Sequence, residues 1–345
     1  MPTVSPDPSA TRDVIATATA RLALGIFVAA NLVGLWMAAL LIWPDLGRLT
    51  LPVSYGRLAP VHMELQLYGW CSLPAIGVLL VRALPETPAA AAWGRIALAA
   101  WTGSLLAGAL DWLAGGASGK LFLSWAGLPR VGFILVQLLL WSVLAAGWLH
   151  PHRRRHTRRT TWLAGMAILA MLLFVPAAMW IAADPAVYPP INPHSGGATG
   201  HSLLASSLGI IGIALLLPLL LGRPPAPDRR GTGRWMVAAY AAGWLVYLGI
   251  GHGHASNHRV DQIAGLATLL AWPPLLIAWY RRRIWPVESL RWLRAAAAWA
   301  VFLAIDGWVL FLPGILDGAK FGNALVAHSH LAMAGLLTSL SMIML

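Results

Sequence analysis

Long apolar runs recur along this chain and constrain its fold more than any other feature. A transmembrane α-helix needs about 20 consecutive, mainly apolar residues. Ten segments meet this requirement, at 20–43, 58–82, 93–114, 128–149, 161–183, 199–221, 235–252, 260–280, 293–313 and 325–345. We therefore predict an all-α, polytopic transmembrane helical bundle of about ten helices. A cytoplasmic tail at 1–18 precedes a single helical domain at 19–345.

The composition excludes a soluble globular protein. Only 10% of the residues are charged and 59% are hydrophobic, whereas a soluble domain carries about 25% charged residues. The single cysteine, Cys71, excludes a disulfide within the chain and a zinc–thiolate cluster. No CxxCH motif is present, so the chain attaches no c-type haem. No small-residue cleavage site follows the first apolar run. We therefore interpret this run as a membrane span rather than as a signal peptide that is removed.

The basic residues predict the orientation of the bundle. They cluster in short runs between apolar segments, such as "HRRRHTRR" and "RRRIWPVESLRWLR", and the predicted spans place 18 Lys and Arg on one side and six on the other. Cytoplasmic loops are enriched in Lys and Arg. We therefore predict a cytoplasmic N-terminus in a bacterial inner membrane. The net charge of +12 faces lipid headgroups, and no nucleic acid is expected as a partner.

Most of the histidines fall near the predicted outer ends of the spans. Of the eleven, His150, His152 and His156 belong to a cytoplasmic basic loop. The other eight are predicted at or near the outer ends, and they are His62, His194, His201, His252, His254, His258, His328 and His330. Ionisable groups inside a membrane are costly and usually functional, and imidazole is the commonest metal ligand. Without a carboxylate-rich cluster, copper, iron, zinc or nickel is favoured over magnesium or calcium.

The pair in "NALVAHSHLAMAGLL" suggests two metal centres rather than one. Residues two apart on an α-helix point about 200° apart, so His328 and His330 cannot chelate one ion on a regular helix. Two haems flanking the helix would use both rings. Small residues would leave room for the macrocycles, namely Ala327, Ser329, Ala332, Ala334 and Gly335. The alternative is that both imidazoles pack between helices and bond to neighbouring carbonyls.

Three stretches resemble subunit I of the haem-copper oxidase superfamily. "VAHSHLAMAG" resembles its tenth-helix signature, which implies that His328 binds a high-spin haem and His330 a low-spin haem. "SYGRLAPVHMELQLYGW" resembles the second helix of the cbb-type oxidase and nitric oxide reductase branch. It implies that His62 is the second ligand of the low-spin haem and that Arg57 binds a haem propionate. "GATGHSLLASSLGIIG" resembles the sixth helix of the cbb-type branch, with His201 as a copper ligand.

The seventh segment, "GIGHGHASNH", departs from the family, which usually has two adjacent copper-binding histidines there. His252 and His254 can bind one copper ion if the helix unwinds at Gly251 and Gly253, which glycine tolerates. His258 and His194 are the alternative third ligands. The family also normally has twelve helices, two more than predicted here.

The resemblance implies a respiratory terminal oxidase that reduces dioxygen to water. It implies two b-type haems, low-spin and high-spin, and one copper ion, with His201, His252, His254 and His328 at the catalytic centre. A cytochrome c or a haem-bearing subunit would donate the electrons. Asp306, within span nine, is a proton-relay candidate or a packing partner. Glu64 is expected to bond to a propionate through water or to face a loop.

Two other functions remain open at this stage. Oxygen-reducing members of the family carry a tyrosine linked to a copper-ligand histidine. Here Tyr247 precedes His252 by five residues, which is more than one helical turn. That spacing favours a relative that handles nitric oxide, as a reductase or a tolerance protein. The second alternative is a histidine-rich membrane metal transporter, which predicts polar residues along a path to the inner face.

Overall fold

The computed structural model describes most of the chain. It covers residues 8–151, 157, 159–184, 199–222, 232–253, 256–320 and 322–345. Four histidines, His152, His156, His194 and His254, therefore lie outside the described residues. By its contacts the chain divides into unit one, Met1–Pro190 with Leu345, and unit two, Ile191–Met344. The single domain at 19–345 stays a prediction.

Unit one consists of long helices throughout its described part. They are α1 (Pro8–Ile42), α2 (Tyr55–Ala83), α3 (Pro88–Ala114), α4 (Gly127–Leu149) and α5 (Arg159–Ala182). A short 3₁₀ helix, Pro44–Thr50, follows α1. Helix α1 begins well before residue 20, so part of the predicted tail is helical.

Local sequence signals set the ends of α3. The Thr87 Oγ1 accepts a hydrogen bond from the Ala90 N–H at 3.2 Å, and Pro88 occupies the first turn. A threonine cap followed by proline is a common helix start, because proline needs no partner for its missing N–H. At the other end Gly115 has φ 102°, a left-handed conformation that glycine adopts without steric cost.

Helix α2 changes its winding along its length. It is α-helical over Tyr55–Glu64, a π-helix over Leu65–Cys71, and α-helical again over Ser72–Ala83. A π-segment is rare and is frequently found at functional sites. His62 lies in the first part, three residues before this change.

Unit one has large aromatic residues among its fully buried side chains, and large apolar side chains on its exterior as well. Trp112, Trp125 and Phe133 are fully buried, and the Trp125 and Phe133 rings stack with centroids 4.0 Å apart. In contrast, Leu128 is 85% exposed and Phe174 is 72% exposed. Large apolar side chains that point outward from long helices are stable in lipid rather than in water.

Unit two also consists of helices in its described part. The long ones are α6 (Gly200–Leu220), α7 (Thr232–Gly249), α8 (Val260–Tyr280), α9 (Val287–Leu310) and α10 (Ala324–Met344). A short helix, Ile315–Ala319, precedes α10. Helix α10 is α-helical over Ala324–His330 and then a π-helix over Leu331–Leu337. No β-strand occurs in the described ranges of either unit.

A buried cluster joins three helices of unit two. Leu204 and Leu208 of α6 pack with Leu266 and Trp272 of α8, and Phe311, just after α9, completes the contact. The cluster fixes the start of α6 relative to α8 and α9, which carry the polar residues described below.

Nine helices in the described ranges are long and apolar enough to cross a membrane, so the chain is an integral membrane protein. The exception among the ten predicted spans is α7. It has 18 residues, includes Arg234, and ends at Gly249 rather than at residue 252. The orientation of the helices stays a prediction.

Candidate metal-binding histidines

Two predicted copper ligands, His201 and His252, lie side by side in unit two. Their ring centroids are 5.1 Å apart, with an angle of 43° between the ring planes. His201 is the second residue of α6, which Thr199 caps. Its Nδ1 is buried and has no hydrogen-bond partner among the described residues. A buried ring nitrogen without a partner is costly, and a metal ion would satisfy it.

The end of α7 brings His252 to this position. The helix ends at Gly249, the following residues are not helical, and Gly253 has φ 79°. Unwinding at Gly251 and Gly253 was the condition set for His252 and His254 to bind one ion, and residues 250–253 are not helical. Because His252 is no longer part of α7, its ring is not held to a helical direction.

A buried amide, Gln262, connects the two histidine-bearing segments. Its Oε1 accepts the His201 backbone N–H at 2.9 Å, and its Nε2 donates to the Gly251 carbonyl at 2.8 Å. Gln262 is fully buried. A Cβ on Gly200 would lie 2.9 Å from the Gln262 side chain, so this close approach requires glycine. Gln262 therefore sets the spacing between the start of α6 and the segment before His252.

Asp261 fixes the same segment from the other side. Its Oδ2 accepts the Gly251 N–H at 2.7 Å, and its carboxylate forms two hydrogen bonds with Arg259, at 3.0 and 3.1 Å. Neither Asp261 nor Gln262 was among the site residues predicted from the sequence. The sequence signal for both residues was the run "RVDQ" at the start of an apolar span. Polar residues at that position indicate only where the span begins, so they did not suggest a role at the site.

Tyr247 contacts His252, contrary to the sequence analysis. The ring centroids are 4.8 Å apart, in an edge-to-face arrangement of 85°. The expected separation of more than one turn assumed a continuous helix. Because α7 ends at Gly249, the chain turns and returns the His252 ring to the Tyr247 ring. A phenol thus lies beside a candidate copper ligand.

His328 bonds to Asp306 across the α9–α10 contact. The Nδ1 of His328 is 2.8 Å from the Asp306 Oδ2, and a carboxylate accepts, so Nδ1 donates when Asp306 is ionised. A Cβ on Gly307 would lie 2.8 Å from the His328 Cε1, so the ring occupies space that only glycine leaves. Asp306 was expected as a relay or a packing partner, and it is a hydrogen-bond partner of a predicted haem ligand.

His330 has a different environment from His328, as their helical spacing predicts. It is exposed, and its Nδ1 donates to the Val326 carbonyl of its own helix at 2.8 Å. The room expected at Gly335 is not present. A Cβ there would lie 2.6 Å from the Trp299 Cδ2, so the Trp299 indole already occupies that side of α10.

In unit one His62 packs against α1. Its Nδ1 donates to the Ala30 carbonyl at 2.8 Å, and a Cβ on Gly34 would lie 2.5 Å from its Cε1. Arg57, expected at a haem propionate, donates from Nη1 to the Leu113 carbonyl at 3.2 Å.

Glu64 faces a loop, which was one of its two expected roles. It is fully buried, and its Oε1 accepts the Ser124 backbone N–H at 2.7 Å. Its Oε2 is buried without a hydrogen-bond partner among the described residues.

Of the three further candidate copper ligands, His194, His254 and His258, only His258 falls within the described ranges. His258 is exposed, with its Nε2 3.6 Å from the Asp317 Oδ2. His254 and His194 fall in ranges that the structure does not describe. Within the described ranges, no three His, Cys, Asp or Glu side chains form a group that could hold a metal ion. The predicted copper set thus has two described members, His201 and His252.

A comparison with protein-family models finds no match for the chain, and a comparison with curated proteins finds none either. The assignment of a function therefore depends on the residues and their geometry.

Proposed function

We propose that the chain is a membrane-bound haem-copper oxidoreductase that reduces dioxygen to water, in a bacterial inner membrane with a cytoplasmic N-terminus. The observation that carries the proposal is the convergence of His201, His252 and Tyr247 at the start of α6. In this proposal His201, His252 and His254 hold copper, and His328 holds the high-spin haem.

The residue types and one unsatisfied ring nitrogen support the proposal. Imidazoles suit copper and haem iron, and His201 has a buried ring nitrogen that no described residue satisfies. Metal-bound histidines almost always donate their second ring nitrogen to an oxygen, and the His328 bond to Asp306 has this form. When bound, haem iron and copper would supply the positions at which dioxygen binds and accepts electrons.

The side chains around these ligands have separate tasks in the proposal. Gln262 holds the His201 and His252 segments at a fixed spacing. Asp306 orients the His328 ring. The Tyr247 phenol, in contact with His252, is a source of a proton and an electron. Reduction of dioxygen to two water molecules requires four electrons and four protons, and a cytochrome c or a haem-bearing subunit would donate the electrons.

The low-spin haem is assigned from the sequence resemblance, and one pair of hydrogen bonds supports it. The resemblance of the second and tenth helices assigns its iron to His62 and His330, and its propionate to Arg57. The Nδ1 atoms of both histidines donate to backbone carbonyls, which leaves the metal-binding lone pair on Nε2. This tautomer supports the assignment.

The nitric oxide alternative is less well supported by the carboxylates. Reductases of that branch use glutamates around a non-haem iron. Asp261, the carboxylate bonded to the segment before His252, is engaged by Arg259 and the Gly251 N–H. Such a carboxylate is oriented as a structural partner of the segment. The contact between Tyr247 and His252 favours dioxygen.

Spectra and metal analysis of the purified full chain would test the proposal. We expect a reduced-minus-oxidised spectrum of two b-type haems, one equivalent of copper, and dioxygen uptake with a reduced cytochrome c. Two haems with an additional iron in place of copper would indicate that the substrate is nitric oxide rather than dioxygen. Absence of haem would overturn the proposal in favour of a metal transporter.

Matched histidine variants make the test specific to the site. His201→Ala should lose copper and dioxygen uptake but keep the haem spectrum. His150→Ala, at an exposed histidine just after α4 that belongs to no predicted metal site, is the control and should keep both. Equal copper in the two variants would contradict the assignment of His201.

A further inference from the structure

An apolar cavity of about 430 Å³ lies among α6, α8, α9 and α10 of unit two. Its volume falls within the range of about 300–1,000 Å³ found for small-molecule sites. Aliphatic side chains from all four helices form its walls, among them Ile210, Ala214, Leu276, Ala300 and Leu340. None of the residues predicted to bind haem or copper lines it, so the cavity is separate from the candidate metal site.

Three arginines line the cavity at one end of the helices. Arg281 and Arg283 directly follow α8, and Arg294 lies about two turns into α9. Within the described part of the chain, none of the three forms an ion pair with a carboxylate. Their positive charge is therefore available to an anion at the mouth of an apolar space.

Two aromatic residues indicate the depth of this end of the cavity in the membrane. Tyr280 and Trp285 stack with centroids 5.5 Å apart, and the Trp285 Nε1 donates to the Tyr280 carbonyl at 2.9 Å. Both residues line the cavity. Tyrosine and tryptophan are enriched where lipid headgroups meet acyl chains. The arginines therefore lie at headgroup level, and the apolar walls extend toward the middle of the membrane.

We propose that this cavity binds an anionic phospholipid, with one acyl chain between α6 and α9 and the phosphate on Arg281, Arg283 and Arg294. Basic pockets between transmembrane helices are typical sites for anionic headgroups. A small soluble anion would leave the apolar walls unused, and a zwitterionic lipid would leave the net positive charge uncompensated. The basic-loop pattern predicts that this is the cytoplasmic end. The proposal does not depend on haem or copper.

Competition with the purified full chain in a neutral detergent tests the occupant. A fluorescent phosphatidylglycerol is bound first and then displaced by unlabelled phosphatidylglycerol, phosphatidylcholine or inorganic phosphate. Phosphatidylglycerol should displace the probe at a concentration at least about tenfold below that of phosphatidylcholine, and millimolar phosphate should not displace it. Equal displacement by the two lipids, or displacement by phosphate, would overturn the proposal. This test needs no variant.

Variants then locate the site. Replacing Arg281, Arg283 and Arg294 together by Gln should weaken phosphatidylglycerol binding about tenfold or more. Arg282→Gln with Arg291→Gln is the matched control, because these arginines are in the same basic stretch but do not line the cavity. Ala300→Phe, which fills the apolar part, should also weaken binding. Wild-type affinity in both the triple variant and Ala300→Phe, or an equal loss in the control, would place the lipid elsewhere and refute the assignment.

Discussion

Among the individual residues, the predicted haem ligands share one hydrogen-bond pattern. His62, His328 and His330 each direct Nδ1 at an oxygen, of the Ala30 carbonyl, the Asp306 carboxylate and the Val326 carbonyl respectively. A carbonyl can only accept, so Nδ1 carries the proton in His62 and His330. A proton on Nδ1 leaves the lone pair on Nε2, which is one of the two ring nitrogens through which an imidazole binds a metal.

Gly34 allows His62 its place, and we predict that Gly34→Ala displaces the ring. The new Cβ would lie 2.5 Å from the His62 Cε1, and overpacking of this kind costs about 1–3 kcal/mol. The low-spin haem absorbance should fall relative to the high-spin signal. Gly25→Ala on the same helix, where no atom lies within 4 Å of the new Cβ, is the control and should leave both signals unchanged. An unaltered low-spin spectrum in Gly34→Ala would argue against His62 as a ligand.

Asp306 acts through His328, and Asp306→Asn tests this positioning role. The amide keeps the size of the side chain but removes the negative charge from the hydrogen bond. Loss of such a partner costs about 10- to 100-fold in metal affinity or activity. We expect a more positive midpoint potential for the high-spin haem, measured by redox titration, while the low-spin haem is unchanged. Equal shifts in both haems would indicate a general structural effect.

On the scale of helices and turns, interruptions of regular winding lie next to the candidate ligands. A π-helix begins one residue after His330 in α10 and three residues after His62 in α2, and α7 ends three residues before His252. Each interruption changes the winding of the backbone close to a predicted ligand. In an unbroken helix the spacing of 3.6 residues per turn would fix every side-chain direction.

The turn after α7 depends on Gly253, and we predict that Gly253→Ala destabilises it. Its φ is 79°, and an L-residue in the left-handed region costs about 1–2 kcal/mol. Copper content should fall, because His252 immediately precedes this position, and the thermal midpoint should decrease by a few degrees. Gly249→Ala, at a helical position where no atom lies within 4 Å of the new Cβ, should retain copper. Wild-type copper in Gly253→Ala would mean that His252 does not need this turn.

The contact between the start of α6 and the segment before His252 depends on Gln262. Gln262→Leu removes both hydrogen bonds and leaves the Gly251 carbonyl and the His201 N–H without that partner. An unsatisfied buried group costs about 1–3 kcal/mol, so both the free energy of unfolding and the copper content should decrease. Ser206→Ala is the control, since Ser206 is exposed and bonds only within α6. Full copper binding in Gln262→Leu would show that the spacing is set elsewhere.

For the whole molecule, the distribution of Lys and Arg predicts the topology. Alkaline phosphatase is active only outside the cytoplasm, so fusions report which side each loop occupies. A fusion after Asp184 should be active, and one after Gly222, beyond the next span, should be inactive. The opposite pair of results would show that the bundle has the reverse orientation. The arginines of the proposed lipid site would then lie in the outer leaflet.

Apolar length determined most of the fold. Each predicted span contains an observed helix, because a segment of about 20 apolar residues in a bilayer must satisfy its backbone internally. Helix α7 is the one predicted span that is not apolar enough to be counted among the nine membrane-spanning helices of the described ranges. It contains an arginine and ends at Gly249, before the predicted end of the span at residue 252. From the sequence, unwinding at Gly251 and Gly253 was only a condition for a shared copper site, although glycine tolerates such a break.

The sequence by itself determined the helices, the positions of the histidines along them, and the basic loops, because these depend on composition within one segment. Only the tertiary structure decided the contacts between segments. Tyr247 meets His252 because α7 ends between them, Gln262 bridges to His201 from another helix, and Trp299 fills the space beside Gly335. These contacts depend on where a helix ends and on which segments pack together, and periodicity within one helix predicts neither.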